Sequence, residues 1–281
     1  MSRTAGIPLM EEDSPMDLEL AGKRAIVTGG TGGIGLVIAR QLALEGVRTA
    51  VCSRSLDRAV AAIDSLDLGD SAQLLRPAQV ELKDADSVAA MVADVADAFG
   101  GVDILINSGA DVSGNVAEDF AHITDEFVLS AFEDKFIGIL RTCRNVVPLM
   151  RGTGWGRIVN IAGSTAREAG HISAGARNAA VVNLTKSLAT ELGRDGITVN
   201  AIHPFTTVTD NLDGRLQRMA ARRGTAAEDH LEHISGRTAL GRLVTAQEIA
   251  DFVTFLVSPR SVALTGEVVA LTGGLGTSVY F

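Results

Sequence analysis

Short apolar runs alternate along the chain with longer stretches of helical periodicity. Residues 24–28 (RAIVT), 48–52, 73–80, 103–107 (DILIN), 156–162, 197–202 and 268–271 read as strands. Helical stretches lie between them at 34–45, 56–66, 87–99, roughly 126–150, 174–194 and 247–257. Residues 210–235 are polar and helical in character. Apolar strands alternating with helices predict an α/β fold, a doubly wound parallel sheet covered on both faces. No repeat or low-complexity linker interrupts residues 21–281, which predicts one domain. Residues 1–20 read as a solvated acidic tail, with Glu11, Glu12, Asp13, Asp17 and Glu19 lacking a basic neighbour among them.

Composition narrows the function. Of 281 residues, 46% are hydrophobic and 21% charged, which excludes a disordered chain. The net charge of −9 gives no basic footprint for nucleic acid. No apolar run of membrane-spanning length and no apolar leader occur, so a cytoplasmic protein without a membrane partner is expected. Two cysteines, Cys52 and Cys143, cannot build a disulfide scaffold or a cysteine-only zinc site, and no metal site is expected. The only tyrosine is Tyr280, at the end of the chain. A mechanism that needs a tyrosine in mid-chain is therefore excluded.

The segment Thr28-Gly29-Gly30-Thr31-Gly32-Gly33-Ile34-Gly35 joins the first strand to the first helix. Glycines there let backbone N–H groups and the positive end of a helix approach a phosphate. A strand before the turn and a helix after it fit a Rossmann dinucleotide site. The second strand ends Val51-Cys52-Ser53-Arg54-Ser55, without the carboxylate that a free ribose 2′-hydroxyl wants. The Arg54 guanidinium suits a 2′-phosphate instead, so NADP is favoured over NAD.

These motifs resemble the short-chain dehydrogenase/reductase family, over residues 20–275. Thr28, Gly29, Gly33 and Gly35 match its glycine motif. Asn107-Ser108-Gly109-Ala110 stands for Asn-Asn-Ala-Gly, and Gly156-Arg157-Ile158-Val159-Asn160-Ile161 matches the fifth strand. Leu184-Thr185-Lys186-Ser187-Leu188-Ala189, the run from Gly196 to His203, and Leu271-Thr272-Gly273-Gly274 are also similar to it. The resemblance implies a small-molecule substrate, a homotetramer or homodimer, and a substrate lid at 210–235. It also implies a cofactor site at Gly29, Thr31, Gly33, Ile34, Gly35, Ser53, Arg54, Glu81, Leu82, Asn107, Gly109, Asn178, Pro204, Thr207 and Thr209.

The family's usual catalytic set is Asn, Ser, Tyr and Lys, and this chain departs from it. Ala174 takes the tyrosine position and Asn178 the lysine position. The serine position falls at Gly163 or Ser164, and Lys135 stands where the asparagine is expected. Phe205 follows Pro204 where the family has glycine. Lysine and asparagine have thus exchanged helices. Lys135 shares an apolar stripe with Val128, Phe132, Ile139, Cys143 and Val146. A buried ammonium is costly unless paired or hydrated. Two readings stand: a cation restored beside the cofactor ribose or substrate oxygen, or a lysine stem lying along apolar surface.

Further candidates are Ser164, as a carbonyl polariser, and His171, as a proton donor near neutral pH. Asp111 and Ser113 follow the fourth strand, at the ligand-binding end of such sheets. His203 reads as structural, and Arg177 as helix surface. Arg215, Arg218, Arg222 and Arg223 in the lid are either a solvated face or a reader of anionic substrate groups. The leading expectation is an NADP(H)-dependent reductase or dehydrogenase of a small carbonyl or alcohol, with a reorganised proton donor. A non-redox enzyme on the same scaffold (dehydratase, isomerase or cyclase) and a non-catalytic cofactor-binding protein are the alternatives.

Overall fold

The computed structural model describes residues 16–109, 120–277 and 279, without the side chains of 222 and 223. The chain runs β1 (Arg24–Thr28), α1 (Gly33–Leu44), β2 (Arg48–Ser53), α2 (Leu56–Asp64), β3 (Leu75–Gln79), α3 (Ala85–Phe99) and β4 (Ile104–Asn107). It continues with α4 (Asp125–Phe132), α5 (Gly138–Thr153), β5 (Gly156–Ile161), α6 (Ile172–Leu192), β6 (Ile197–Pro204) and β7 (Thr207–Val208). The last elements are α7 (Leu212–Arg223), α8 (Ala227–Ser235), β8 (Val244–Thr245), α9 (Ala246–Leu256) and β9 (Val268–Leu271).

Seven strands form one parallel sheet in the order β3-β2-β1-β4-β5-β6-β9. Such strands are buried on both faces, which is why they read as unbroken apolar runs. One core layer holds Val88, Val95, Cys143, Val146, Val181 and Leu192, from α3, α5 and α6. The opposite layer holds Ile38, Leu42, Ile249 and Val253, from α1 and α9. The strand order reverses between β1 and β4, which opens a cleft at the carboxyl ends of the strands.

Helix ends follow local chemistry. Asp84 caps α3 by accepting from Asp86 N and Ser87 N. Thr245 and Glu248 form a reciprocal capping box on α9. Residues 210–235, expected to be helical, form α7 and α8, which share a small core of Leu212, Leu216, Ile234 and Leu243.

Two expectations are corrected. The helix after β4 is not a uniform α-helix: residues Glu133–Ile137 between α4 and α5 form a π turn. A π turn inserts one residue and re-aims the side chains that it carries. The Arg141 guanidinium pairs with Glu133 at 2.6 Å and donates to the Leu82 carbonyl, so it clasps this segment. The acidic tail, of which residues 1–15 lie outside the described residues, is docked at its far end. Leu20 is buried, Arg260 pairs with Glu19 at 2.6 Å, and Arg260 Nε donates to the Asp17 carbonyl.

Candidate active site

The glycine turn closes the end of β1. A β-carbon on Gly29, whose φ is +63°, would sit 2.6 Å from the Gly109 Cα, so both strand-end loops need glycine there. A β-carbon on Gly35 would collide with the Gly29 carbonyl. Gly32, the N-cap of α1, offers no capping side chain, and the first turn holds no acid. Its backbone N–H groups therefore stay available to an anion. Thr31 and Ile34 are half-buried beside the turn. The Thr209 methyl would lie 3.7 Å from a β-carbon on Gly33, which brings the chain after β7 to the same place.

Ser53 ends β2 half-buried and Arg54 is exposed next to it. Glu81 accepts from Lys83 N and so braces its own turn. The Leu82 side chain would lie 2.8 Å from a β-carbon on Gly109 and thus packs at the cleft floor. Pro204 is half-buried at the end of β6, and the Thr207 hydroxyl donates to the Phe205 carbonyl.

Asn107 differs from expectation, because its side chain serves the core. Its Oδ1 accepts from the Thr142 hydroxyl at 2.7 Å, and its Nδ2 donates to Asn160 Oδ1 at 2.9 Å. Asn160 Nδ2 continues to the Thr185 hydroxyl at 3.0 Å. This buried chain ties α5, β4, β5 and α6 together. A satisfied polar network fixes register, so Asn107 supports the site from below.

Both exchanged residues reach the loop after β5. Lys135, in the π turn, is 6% exposed and its Nζ donates to the Ala162 carbonyl at 2.7 Å. Its head is held inside the protein, and the reading of a lysine reaching out to water is set aside. Asn178 on α6 is 3% exposed and donates from Nδ2 to the Thr165 hydroxyl at 2.7 Å. Asn178 Oδ1 is buried and accepts no hydrogen bond. Between these anchors, Ser164 Oγ donates to Glu168 Oε1 at 2.8 Å, and Glu168 Oε2 accepts from Arg237 at 2.5 Å. The Arg237 guanidinium lies over the Phe205 ring, 5.2 Å from its centre.

Two residues gain a part in the site. Arg177, expected on the helix surface, is 3% exposed, and its charge acts on Lys135. His203, at the end of β6, is 1% exposed with both ring nitrogens unbonded. Burial, and then the Arg177 charge, lower the Lys135 ammonium to about 7, against the opposing pull of Asp134. Burial, then Arg167 and Lys135, lower His203 to about 4, so it is neutral at pH 7. A signal for Arg177 existed in the sequence. Ala174, Arg177, Asn178, Val181 and Thr185 follow helical spacing, and all are buried.

His171 starts α6 half-buried, and among the described residues no hydrogen bond links its side chain to Lys135, Ser164 or Asn178. Arg215 is lowered from its usual value by burial and by Arg218. Asp111, Ser113 and Tyr280 lie outside the described residues. Among the described residues no cluster of three or more metal-ligating side chains occurs. No helix there is long and apolar enough to cross a membrane.

A doubly wound sheet whose glycine turn meets a second glycine loop at the switch point defines a dinucleotide-binding scaffold. A family model described as enoyl-(acyl carrier protein) reductase matches residues 29–276. A Streptomyces coelicolor protein assigned by name to ketoacyl reduction is 35% identical, over 90% of this chain and 96% of its own. The 3-oxoacyl-[acyl-carrier-protein] reductase FabG of Vibrio cholerae is 31% identical, over 92% and 99%. An actinorhodin polyketide ketoreductase solved with NADPH superposes with a TM-score of 0.83 at 31% identity, covering 91% of this chain and 98% of its own. The L-sorbose reductase of Gluconobacter frateurii, complexed with NADPH and L-sorbose, gives 0.86 at 28% identity, covering 94% and 100%. The chain belongs to the short-chain dehydrogenase/reductase family, and is an oxidoreductase of that type.

Proposed function

We propose that the protein is an NADP(H)-dependent oxidoreductase acting on a small carbonyl or alcohol, with Lys135 as the acid–base group in place of the absent tyrosine. One observation carries this reading: the Lys135 ammonium is buried beside the end of β5 and bonded to the Ala162 carbonyl. An acid–base group is most effective with a pKa near the operating pH, and Lys135 sits at about 7.

The residues fit the cofactor. The backbone of Gly29, Thr31, Gly33, Ile34 and Gly35 would face the diphosphate, and Ser53 and Arg54 the 2′-phosphate. The unbonded Asn178 Oδ1 suits a ribose hydroxyl, which donates a hydrogen bond. Ser108, Gly109 and Leu82 form the wall beside the turn. When bound, NADPH supplies the hydride for a carbonyl carbon.

The chain's own residues handle the proton. As an ammonium, Lys135 keeps one N–H on the Ala162 carbonyl and has two more for a substrate oxygen. It gives up a proton as that oxygen becomes a hydroxyl. In the oxidative direction the neutral amine accepts it. Arg177 favours the deprotonated form and so makes the ammonium a stronger acid. Ser164 donates to Glu168, so its oxygen lone pairs are left to accept from a substrate hydroxyl. Phe205 under Arg237 bounds the mouth of the cleft, and 210–235 would cover it as a lid.

The test is NADPH oxidation against a panel of small ketones and aldehydes, beside NADPH binding, for the wild type and Lys135→Met. The proposal expects turnover that Lys135→Met lowers by about 10²–10⁴ while binding persists. Binding without turnover of any carbonyl would reject it.

A further inference from the structure

We infer that Arg141 is a positioning residue, which sets Lys135 against the Ala162 carbonyl by holding the π turn between α4 and α5. The placement of Lys135 follows from the helix geometry; only its effect on rate rests on the reductase reading.

A π turn is rare inside a helix, and the α register is the default unless outside contacts hold the inserted residue. Here Gly138 N donates to the Glu133 carbonyl, five residues back, which closes the insert over Glu133–Ile137. Glu133 and Arg141 lie eight positions apart, one at each side of it. At about 100° per residue, an unbroken α-helix would turn the two roughly 80° away from each other. One inserted residue brings them back to within about 20°, on one face and about 10.5 Å apart along the axis. Two long side chains reaching toward each other span that rise, and the pair is closed at 2.6 Å. The ion pair therefore forms in the π register and favours it over the α register.

Neighbouring contacts decide which side would yield. α5 is pinned to the sheet. The Thr142 hydroxyl, next to Arg141, donates to Asn107 Oδ1 at 2.7 Å, and Ile139, Cys143 and Val146 lie in the core. The loop after β3 brackets the insert. Arg141 Nη1 donates to the Leu82 carbonyl at 3.0 Å on one side, and Lys83 Nζ to the Ser130 hydroxyl at 3.4 Å on the other. A guanidinium can serve a carboxylate and a carbonyl together because it carries five donors in a fixed fork. Without it, residues 133–137 are free to fall into the α register while α5 stays in place. A slip of one residue turns Lys135 by about 100° around the helix axis. Its 2.7 Å bond to Ala162 cannot survive that rotation. The Glu133 side chain is 39% exposed, so the pair adds little to overall stability and acts on the register instead.

The experiment follows acetylation of the full chain by an N-hydroxysuccinimide ester at pH 8, mapped by peptide mass. The chain has only four lysines, Lys23, Lys83, Lys135 and Lys186, and exposed Lys186 is the internal standard. In the wild type, buried Lys135 should react at least about ten-fold more slowly than Lys186, because reagent reaches it only through local opening. Arg141→Met and Glu133→Gln should each speed labelling of Lys135 about five-fold or more, with the Lys186 rate and the melting temperature unchanged. Arg141→Lys keeps a cation opposite Glu133 and should restore most of the protection. With NADPH and a ketone that the wild type reduces, Arg141→Met should lower kcat about ten-fold and leave the ketone KM nearly unchanged. Lys135 as protected in both variants as in the wild type overturns the proposal. So does equal acceleration at all four lysines in both, which would mean that the clasp holds the fold and not the register. Selective exposure of Lys135 in a protein that turns over no carbonyl supports the proposal and rejects the reductase reading; turnover with Lys135 still protected in the variants does the reverse.

Discussion

The Lys135 ammonium, carried by a π turn, donates to the Ala162 carbonyl at 2.7 Å and so fastens the helix after β4 to the end of β5. That placement is held at a cost in stability, because burial disfavours the ammonium. The folded pKa of about 7 lies below the usual 10.5. Below pH 7 the lysine is charged in both states, and its burial cost is fully present. Between about 7 and 10.5 the unfolded chain binds more protons, so stability rises with pH across that window. Lys135→Met should therefore lower turnover by about 10²–10⁴ while leaving the melting temperature unchanged or raised. The rise should be larger at pH 6 than at pH 10. Steady-state rates and thermal melts at the two pH values check this.

Arg54 follows the end of β2 and is exposed, where no carboxylate is present to meet a free ribose. A charge-assisted contact to a 2′-phosphate is worth about 1.5–3 kcal/mol, roughly ten- to a hundred-fold in affinity. NADPH should bind more tightly than NADH by that factor, and Arg54→Asp should abolish or reverse the preference. Fluorescence titration with both cofactors measures it; equal affinities in the wild type would remove Arg54 from the site.

Ser164, Glu168 and Arg237 form a chain from the β5 loop to the segment after α8. Glu168→Gln keeps the shape but removes the charge that holds Arg237 over Phe205. We expect kcat/KM to fall about ten-fold, chiefly through KM, with a stability change under about 1 kcal/mol because the pair is part-exposed. Kinetics and melts on the one variant separate these effects.

Much of this was legible in the sequence, for identifiable reasons. Strands buried on both faces leave unbroken apolar runs, so β1, β5 and β6 were readable to within one or two residues. The exchange of Lys135 and Asn178 was read by aligning the chain with the family's motifs, and the structure brings both side chains to the loop after β5. The π turn was not, because one extra residue per turn hardly disturbs a stripe already irregular between three and four. Arg177 was missed because α6 carries polar residues on its buried face, Ser173, Asn178 and Thr185 among them. The Glu168–Arg237 pair joins residues 69 positions apart, which local pattern cannot connect.

Rebuilding the family's usual set tests whether residues 135 and 178 share one site. Ala174→Tyr with Asn178→Lys adds a lysine next to Arg177, and in a site shared with Lys135 the like charges would suppress each other's charged form. Adding Lys135→Asn removes that conflict, so the triple variant should outperform the double on a simple ketone with NADPH. Ala174 is buried, so both variants should lose about 1–3 kcal/mol to overpacking. If the double variant matches the triple, residues 135 and 178 do not share a site.

The most direct measurement is the titration of Lys135 itself. With only four lysines, protein carrying carbon-13 at the lysine Cε gives four assignable resonances. We predict that the resonance lost in Lys135→Met titrates near pH 7. A Lys135 resonance titrating near the ordinary lysine value of about 10.4 would contradict the assignment of Lys135 as the acid–base group.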